Sequence, residues 1–151
     1  MIKKLKILFL CTGNSCRSQM AEAWTNKLKG AQFEAYSAGV EPKQIDPRAI
    51  EAMAEAGIDI SAQKSKDIDS LRDMEFDYVV TLCDNARESC PYFPAKTKLV
   101  HQGFNDPPKL AEDANDEEEA MGHYRRVRDE IKVFVKSLPE TLLGELPGIE
   151  S

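Results

Sequence analysis

Cys11-Thr12-Gly13-Asn14-Ser15-Cys16-Arg17-Ser18 gathers a nucleophile, five loop residues, a guanidinium and a hydroxyl within one short stretch. The five intervening residues allow successive backbone N–H groups to turn inward around a tetrahedral anion. Arg17 offers a planar fork that grips two anion oxygens. The loop also opens a helix, whose N-terminal partial charge favours both an anion and a cysteine thiolate. Ser18 can donate a hydrogen bond to the thiolate sulfur. Cys11 therefore reads as a nucleophile of depressed pKa, aimed at an oxyanion held by Thr12, Gly13, Asn14, Ser15, Cys16 and Arg17. Cys16 is expected to contribute its backbone N–H. Asn14 tolerates left-handed backbone and is expected to fix the loop through side-chain hydrogen bonds. The competing reading, a strand-end core thiol beside a solvated arginine, leaves Gly13, Asn14 and the flanking pattern unexplained.

Two further thiols, Cys83 and Cys90, stand seven positions apart. If the segment is helical they share a face about 10 Å apart along the axis, whereas a disulfide needs Cα atoms within roughly 7 Å. They cannot pair unless the segment unwinds. Taken alone, they could equally be two unrelated thiols, one in the core and one before Pro91. Asn105-Asp106-Pro107-Pro108 is composed of turn formers and follows a short apolar run.

Strands and helices must position these groups. Residues 4–10 read as a buried central strand, and 17–29 as a helix with Met20, Ala21, Trp24 and Leu28 on its inner stripe. Residues 33–38 form a second strand. Pro47–Ala56 forms a helix, with Asp46 as N-cap, Pro47 at the first helical position and Gly57 beyond its end. Residues 77–82 and 98–101 complete the strands. Residues 115–137 form a closing helix with Tyr124, Val127, Ile131, Phe134 and Val135 inward, stopped by Pro139. The alternation implies an α/β fold, a single-domain three-layer sandwich in which a four-stranded parallel sheet is flanked by helices. Residues 1–151 are one domain, with 137–151 a loosely packed tail. Cys11 and Cys83 each follow a strand, so parallel pairing puts both sulfurs at one edge, where such sheets bind ligands.

The chain has 151 residues and a formal net charge of −6, which argues against a nucleic-acid partner. No apolar stretch is long enough to span a membrane, and the basic start lacks a secretory apolar region. A cytoplasmic monomer is expected. Four cysteines there suit catalysis better than structural disulfides. His101 is expected to support a strand end, His123 is given no role, and no metal-ligand spacing appears.

Cys-x5-Arg-Ser near the N-terminus resembles the low-molecular-weight protein tyrosine phosphatase family, and the continuation Gln19-Met20-Ala21-Glu22-Ala23 resembles its arsenate reductase branch. Leu82 to Pro91 is similar to the redox relay of thioredoxin-coupled arsenate reductases, and Asn105-Asp106-Pro107 to the family's acid loop. The likeness covers about residues 4 to 136. It implies that Cys11 attacks arsenate, that Asp106 protonates the departing oxygen, and that Cys83 and then Cys90 resolve the intermediate, with thioredoxin as external reductant. Cys11, Arg17, Ser18, Cys83, Cys90 and Asp106 are then the catalytic set, with no bound cofactor. Some members look to carry a potassium site near Asn14, Glu22 and Ser37. Here Lys64 and Lys66 lie in the matching stretch, so an ammonium is expected in the ion's place. Phosphatases of this fold follow the acid loop with tyrosines, where this chain has Pro108-Lys109. A phosphatase acting on phosphotyrosine or small phosphate esters is the alternative, and a redox sensor without turnover a third.

Overall fold

The structure is a computed structural model that describes residues 3–71, 73–88, 90, 93 and 96–144. Four strands, β1 (Leu5–Cys11), β2 (Phe33–Gly39), β3 (Tyr78–Thr81) and β4 (Lys98–His101), form a parallel sheet in the order β2-β1-β3-β4. Helices α1 (Arg17–Leu28), α2 (Pro47–Glu55), α3 (Asp84–Glu88), α4 (Pro107–Ala111), α5 (Glu117–Lys136) and α6 (Glu140–Gly144) connect and cover it.

β1 explains the layering. It is hydrogen-bonded to a neighbour on each side, in register from Leu5 with Phe33 to Cys11 with Gly39 on one edge and from Ile7 with Tyr78 to Leu10 with Thr81 on the other. Successive side chains alternate faces, so Ile7, Phe9 and Cys11 enter a core beneath α1, α2 and α5. Leu8 and Leu10 enter a second, smaller core with Ala38, Phe76, Val79, Ala86 and Phe93. A strand buried on both faces reads as an unbroken apolar run, as Ile7 to Leu10 does. No helix among the described residues is long and apolar enough to cross a membrane.

The helix ends follow their caps. Asp46 accepts a hydrogen bond from Arg48 N–H at the start of α2, and Gly57 adopts φ +90° just past its end. Asp116 accepts from Glu119 N–H at the start of α5, which places that helix two residues later than the apolar pattern suggests. Tyr124, Val127, Ile131, Phe134 and Val135 are all buried, as read.

Three expectations change. Pro107 opens the short helix α4 rather than extending a loop, because proline's fixed φ and missing N–H suit a first helical position. α3 ends at Glu88, so Cys90 lies outside it; a residue preceding a proline is disfavoured in helical conformation. Residues 137–144 are not loose. Leu138 and Leu142 are fully buried, and Lys98 Nζ of β4 donates to the Leu142 carbonyl at 3.2 Å. The rest of the expected tail, 145–151, lies outside the described residues.

Candidate active site

The loop from Cys11 to Arg17 is shaped by what holds its carbonyls. Val40, Glu41, Lys43 and Asp46 donate backbone N–H groups to the carbonyls of Cys11, Thr12, Gly13 and Ser15, and Met20 donates to that of Cys16. The Asn14 carbonyl accepts from Gln19 Nε2 and Ser65 Oγ, each at 2.9 Å. A trans peptide directs its C=O and N–H oppositely. With the carbonyls of residues 11–16 drawn outward, the N–H groups of residues 12–17 converge on the loop's interior. That is an anion nest.

Two details make the curvature possible. Asn14 adopts φ 51°, a left-handed conformation that asparagine accepts better than most residues. Its Oδ1 receives Lys66 N–H at 2.8 Å while its Nδ2 donates to Ser18 Oγ at 2.8 Å. Gly39, at the end of β2, lies so close that a Cβ there would sit 2.7 Å from the Thr12 carbonyl oxygen and 2.9 Å from Asn14 N.

Cys11 is 3% exposed, with Sγ 3.0 Å from Ser18 Oγ. Because the Asn14 amide nitrogen only donates, the Ser18 oxygen accepts from it and can direct its own proton to the sulfur. Cys11, Arg17 and Asp106 line a cavity of about 360 Å³. Arg17 is nearly buried, and its NH1 donates to the Phe104 carbonyl at 2.9 Å. Its NH2 lies 3.5 Å from Asp106 Oδ1. Asp106 is the N-cap residue of α4, yet its side chain makes no capping hydrogen bond. The carboxylate faces Arg17 instead.

Cys83 follows β3 at the neighbouring strand end. Its Sγ is 3.3 Å from Thr12 Oγ1, and Ala86 N–H donates to it at 3.4 Å. Cys83 also lines a cavity of about 400 Å³ with Arg17 and Asp106. Arg17 and Asp106 thus line both cavities, one holding Cys11 and the other Cys83, while Ser18 reaches the first through the Cys11 sulfur. Cys90 is a half-buried free thiol packed against the second core with Cys83; burial pushes its pKa up. Cys16 is also free and buried. Burial, then the nearby Asp46 and Cys11 charges, raise its pKa well above the usual thiol value.

Further groups support the loop. Ser37 Oγ donates to Glu22 Oε1 at 2.6 Å, and Lys66 Nζ lies 3.9 Å from the same oxygen and 3.0 Å from the Lys64 carbonyl. The Lys66 ammonium thus lies beside the Glu22 carboxylate. His101 links strand ends: Nδ1 lies 2.8 Å from Thr81 Oγ1, and Nε2 lies 3.4 Å from Asp84 Oδ1. Sequence reasoning assigned no site role to Gln19, Lys43, Asp46 or Asn85. Gln19 and Asp46 brace the cradle, and Tyr124 OH donates to Asp46 Oδ2. Asp46 and Asn85 are distant in sequence from the cradle, so no local spacing signals them, whereas Gln19, on α1, reaches back to Asn14 from five residues away.

The model of the low molecular weight phosphotyrosine protein phosphatase family matches residues 6–146. The chain belongs to this family. Within it, the chain is 49% identical over 140 residues to an arsenate reductase of Halalkalibacterium halodurans, covering 93% of this chain and 99% of that one. Its fold matches a solved arsenate reductase in the phosphate-binding state with a TM-score of 0.70 at 30% identity, over 89% of this chain and 95% of the other. It also matches a thioredoxin-dependent arsenate reductase of Corynebacterium glutamicum, with a TM-score of 0.67 at 26% identity, over 93% of this chain and 62% of that longer one. The family and the arsenate reductase likeness agree with the sequence reading.

Proposed function

We propose that this chain is an arsenate reductase working through Cys11, Cys83 and Cys90, regenerated by thioredoxin, in the cytoplasm. The observation that carries the reading is the second thiol at the cradle wall, with Cys83 Sγ within 3.3 Å of the Thr12 hydroxyl. A phosphatase needs no such group there.

Arsenate binds in the ring of N–H groups with Arg17 across two of its oxygens. Cys11 thiolate attacks arsenic; a sulfur–arsenic bond forms while an arsenic–oxygen bond breaks, and Asp106 gives the proton with which a hydroxyl leaves as water. Cys83 thiolate then attacks the Cys11 sulfur. The sulfur–arsenic bond breaks with its electron pair remaining on arsenic, which leaves as arsenite, and a Cys11–Cys83 disulfide remains. Cys90 attacks Cys83, Cys11 departs as thiolate, and the oxidising equivalents rest on Cys83–Cys90. The dithiol of thioredoxin reduces that bond and is itself oxidised. No metal or other bound cofactor takes part, and the unit is a monomer.

The rim supports arsenate over phosphotyrosine. Among the described residues lining the Cys11 cavity there is no aromatic ring; Lys43, Gln44 and Pro108 are part of its lining. The test is a thiol count by mass after stoichiometric arsenate without reductant. Loss of two thiols mapped to Cys83 and Cys90 is expected. In Cys90→Ser the bond should instead stop at Cys11–Cys83. Four retained thiols, with hydrolysis of a phosphate ester, would replace this reading by the phosphatase one.

A further inference from the structure

An amide, a hydroxyl and a sulfur occur in the same order twice around the cradle. One chain is Asn14, Ser18 and Cys11, described above. In the other, Asn85 Nδ2 lies 3.1 Å from Thr12 Oγ1, which lies 3.3 Å from Cys83 Sγ. A threonine hydroxyl has one proton and can either donate to a thiolate or accept from a thiol. Donation favours the thiolate; acceptance favours the thiol. The amide nitrogen of Asn85 is only a donor, so it takes one lone pair of the Thr12 oxygen and cannot receive the Thr12 proton, which is left to point at the sulfur.

We propose that Asn85 is a positioning residue for the resolving thiol, orienting the Thr12 hydroxyl so that it donates to Cys83. Ala86 N–H, at 3.4 Å, is the second donor to that sulfur. Two donors on one sulfur describe a thiol held ready to attack. Asn85 lies on α3 and Thr12 on the loop after β1, so the contact also ties α3 to the cradle. Once the segment carrying Cys83 opens toward Cys90, the Thr12 donor is lost. The catalytic consequence rests on the relay proposed above; the hydrogen-bond direction does not.

The experiment is alkylation of the reduced full-length protein by iodoacetamide across the neutral pH range, with the Cys83 peptide quantified by mass. The titratable and charged groups near Cys83, namely Arg17, Asp106 and Asp84 with its partners His101 and Arg87, are the same in every variant. Asn85→Ala is expected to slow Cys83 alkylation at neutral pH by roughly three- to tenfold, the scale of the one neutral hydrogen bond that it removes. The rate at high pH should not change, and the profile should shift toward higher pH. Asn85→Asp should slow it further, because a carboxylate accepts the Thr12 proton and adds negative charge. In a Thr12→Val background, Asn85→Ala should have no additional effect. A wild-type profile or faster alkylation in Asn85→Ala overturns the proposal. So does an equal loss in the Thr12→Val background, which would mean that Asn85 acts by holding α3 alone. No arsenate enters this measurement, so a failed relay and a failed assignment of Asn85 give separate results.

Discussion

Replacing Arg17 separates its charge from its shape. NH1 is committed to the Phe104 carbonyl at 2.9 Å and NH2 faces Asp106 at 3.5 Å, so one planar group must hold the acid loop and still present donors to the oxyanion. Lysine keeps the charge but offers three donors from a single point. It can serve the oxyanion or the Phe104 carbonyl, not both in the same geometry. Losing one charge-assisted hydrogen bond costs about 1.5–3 kcal/mol, so Arg17→Lys should lower kcat/KM for arsenate by roughly ten- to a hundredfold. Arg17→Ala loses the charge as well and should lower it by on the order of a thousandfold or more. The assay is arsenate turnover with thioredoxin in excess, paired with thermal melts, because Arg17 is only 8% exposed and its truncation leaves a void. Arg17→Lys should melt close to the parent. If it turns over arsenate as the parent does, the fork is not what binds the substrate, and the assignment of Arg17 fails.

Gly39→Ala should destabilise the chain by about 1–3 kcal/mol, as overpacking against a rigid neighbour does, and should weaken competitive inhibition by phosphate; urea melts and inhibition constants measure the two effects. The group it would strike is the Thr12 backbone at 2.7 Å, which cannot move without opening the cradle. Cys16 contributes to the pH dependence of stability. Its folded pKa is raised well above 9.0 by burial, so above the unfolded thiol's pKa the native state keeps a proton that the unfolded chain has lost. Stability then falls with rising pH, by up to about 1.4 kcal/mol per pH unit for one such group. Denaturant melts at mildly alkaline pH should show a shallower decline in Cys16→Ala, and an identical slope would refute the account.

The chemistry was legible in the sequence wherever it is contiguous. Cys11 through Ser18 places a thiol, a loop and a guanidinium within one stretch, and the structure makes that stretch a single strand-to-helix turn. The sheet was legible for a similar reason, since β1 is an unbroken apolar run and α5 carries its buried residues at helical spacing. What could not be read came from contacts between loops. Lys66 meets Asn14 Oδ1, Asp46 meets the Ser15 carbonyl and Asn85 meets Thr12, and each pair is joined only after β1 takes its place between β2 and β3. Two local signals misled for specific reasons. Consecutive prolines at 107 and 108 suggested a loop, although the first serves as a helix start. The distance between Cys83 and Cys90 was reckoned as continuous helix, although Pro91 disfavours helical backbone at its end.

α3 is a single short helix that places only Ala86 fully in the core, while β1 beside it is locked on both edges and both faces. The two halves of the proposed catalysis therefore draw on separate reserves of stability. The nucleophile's strand can stay as firm as the fold requires, and the resolving segment can open at a cost set by a handful of its own surface residues. Substitutions at Arg87 or Glu88, which line neither cavity, would adjust how readily oxidising equivalents leave the protein with little change in how tightly the oxyanion is held. Turnover and substrate affinity become independently adjustable properties of one small chain.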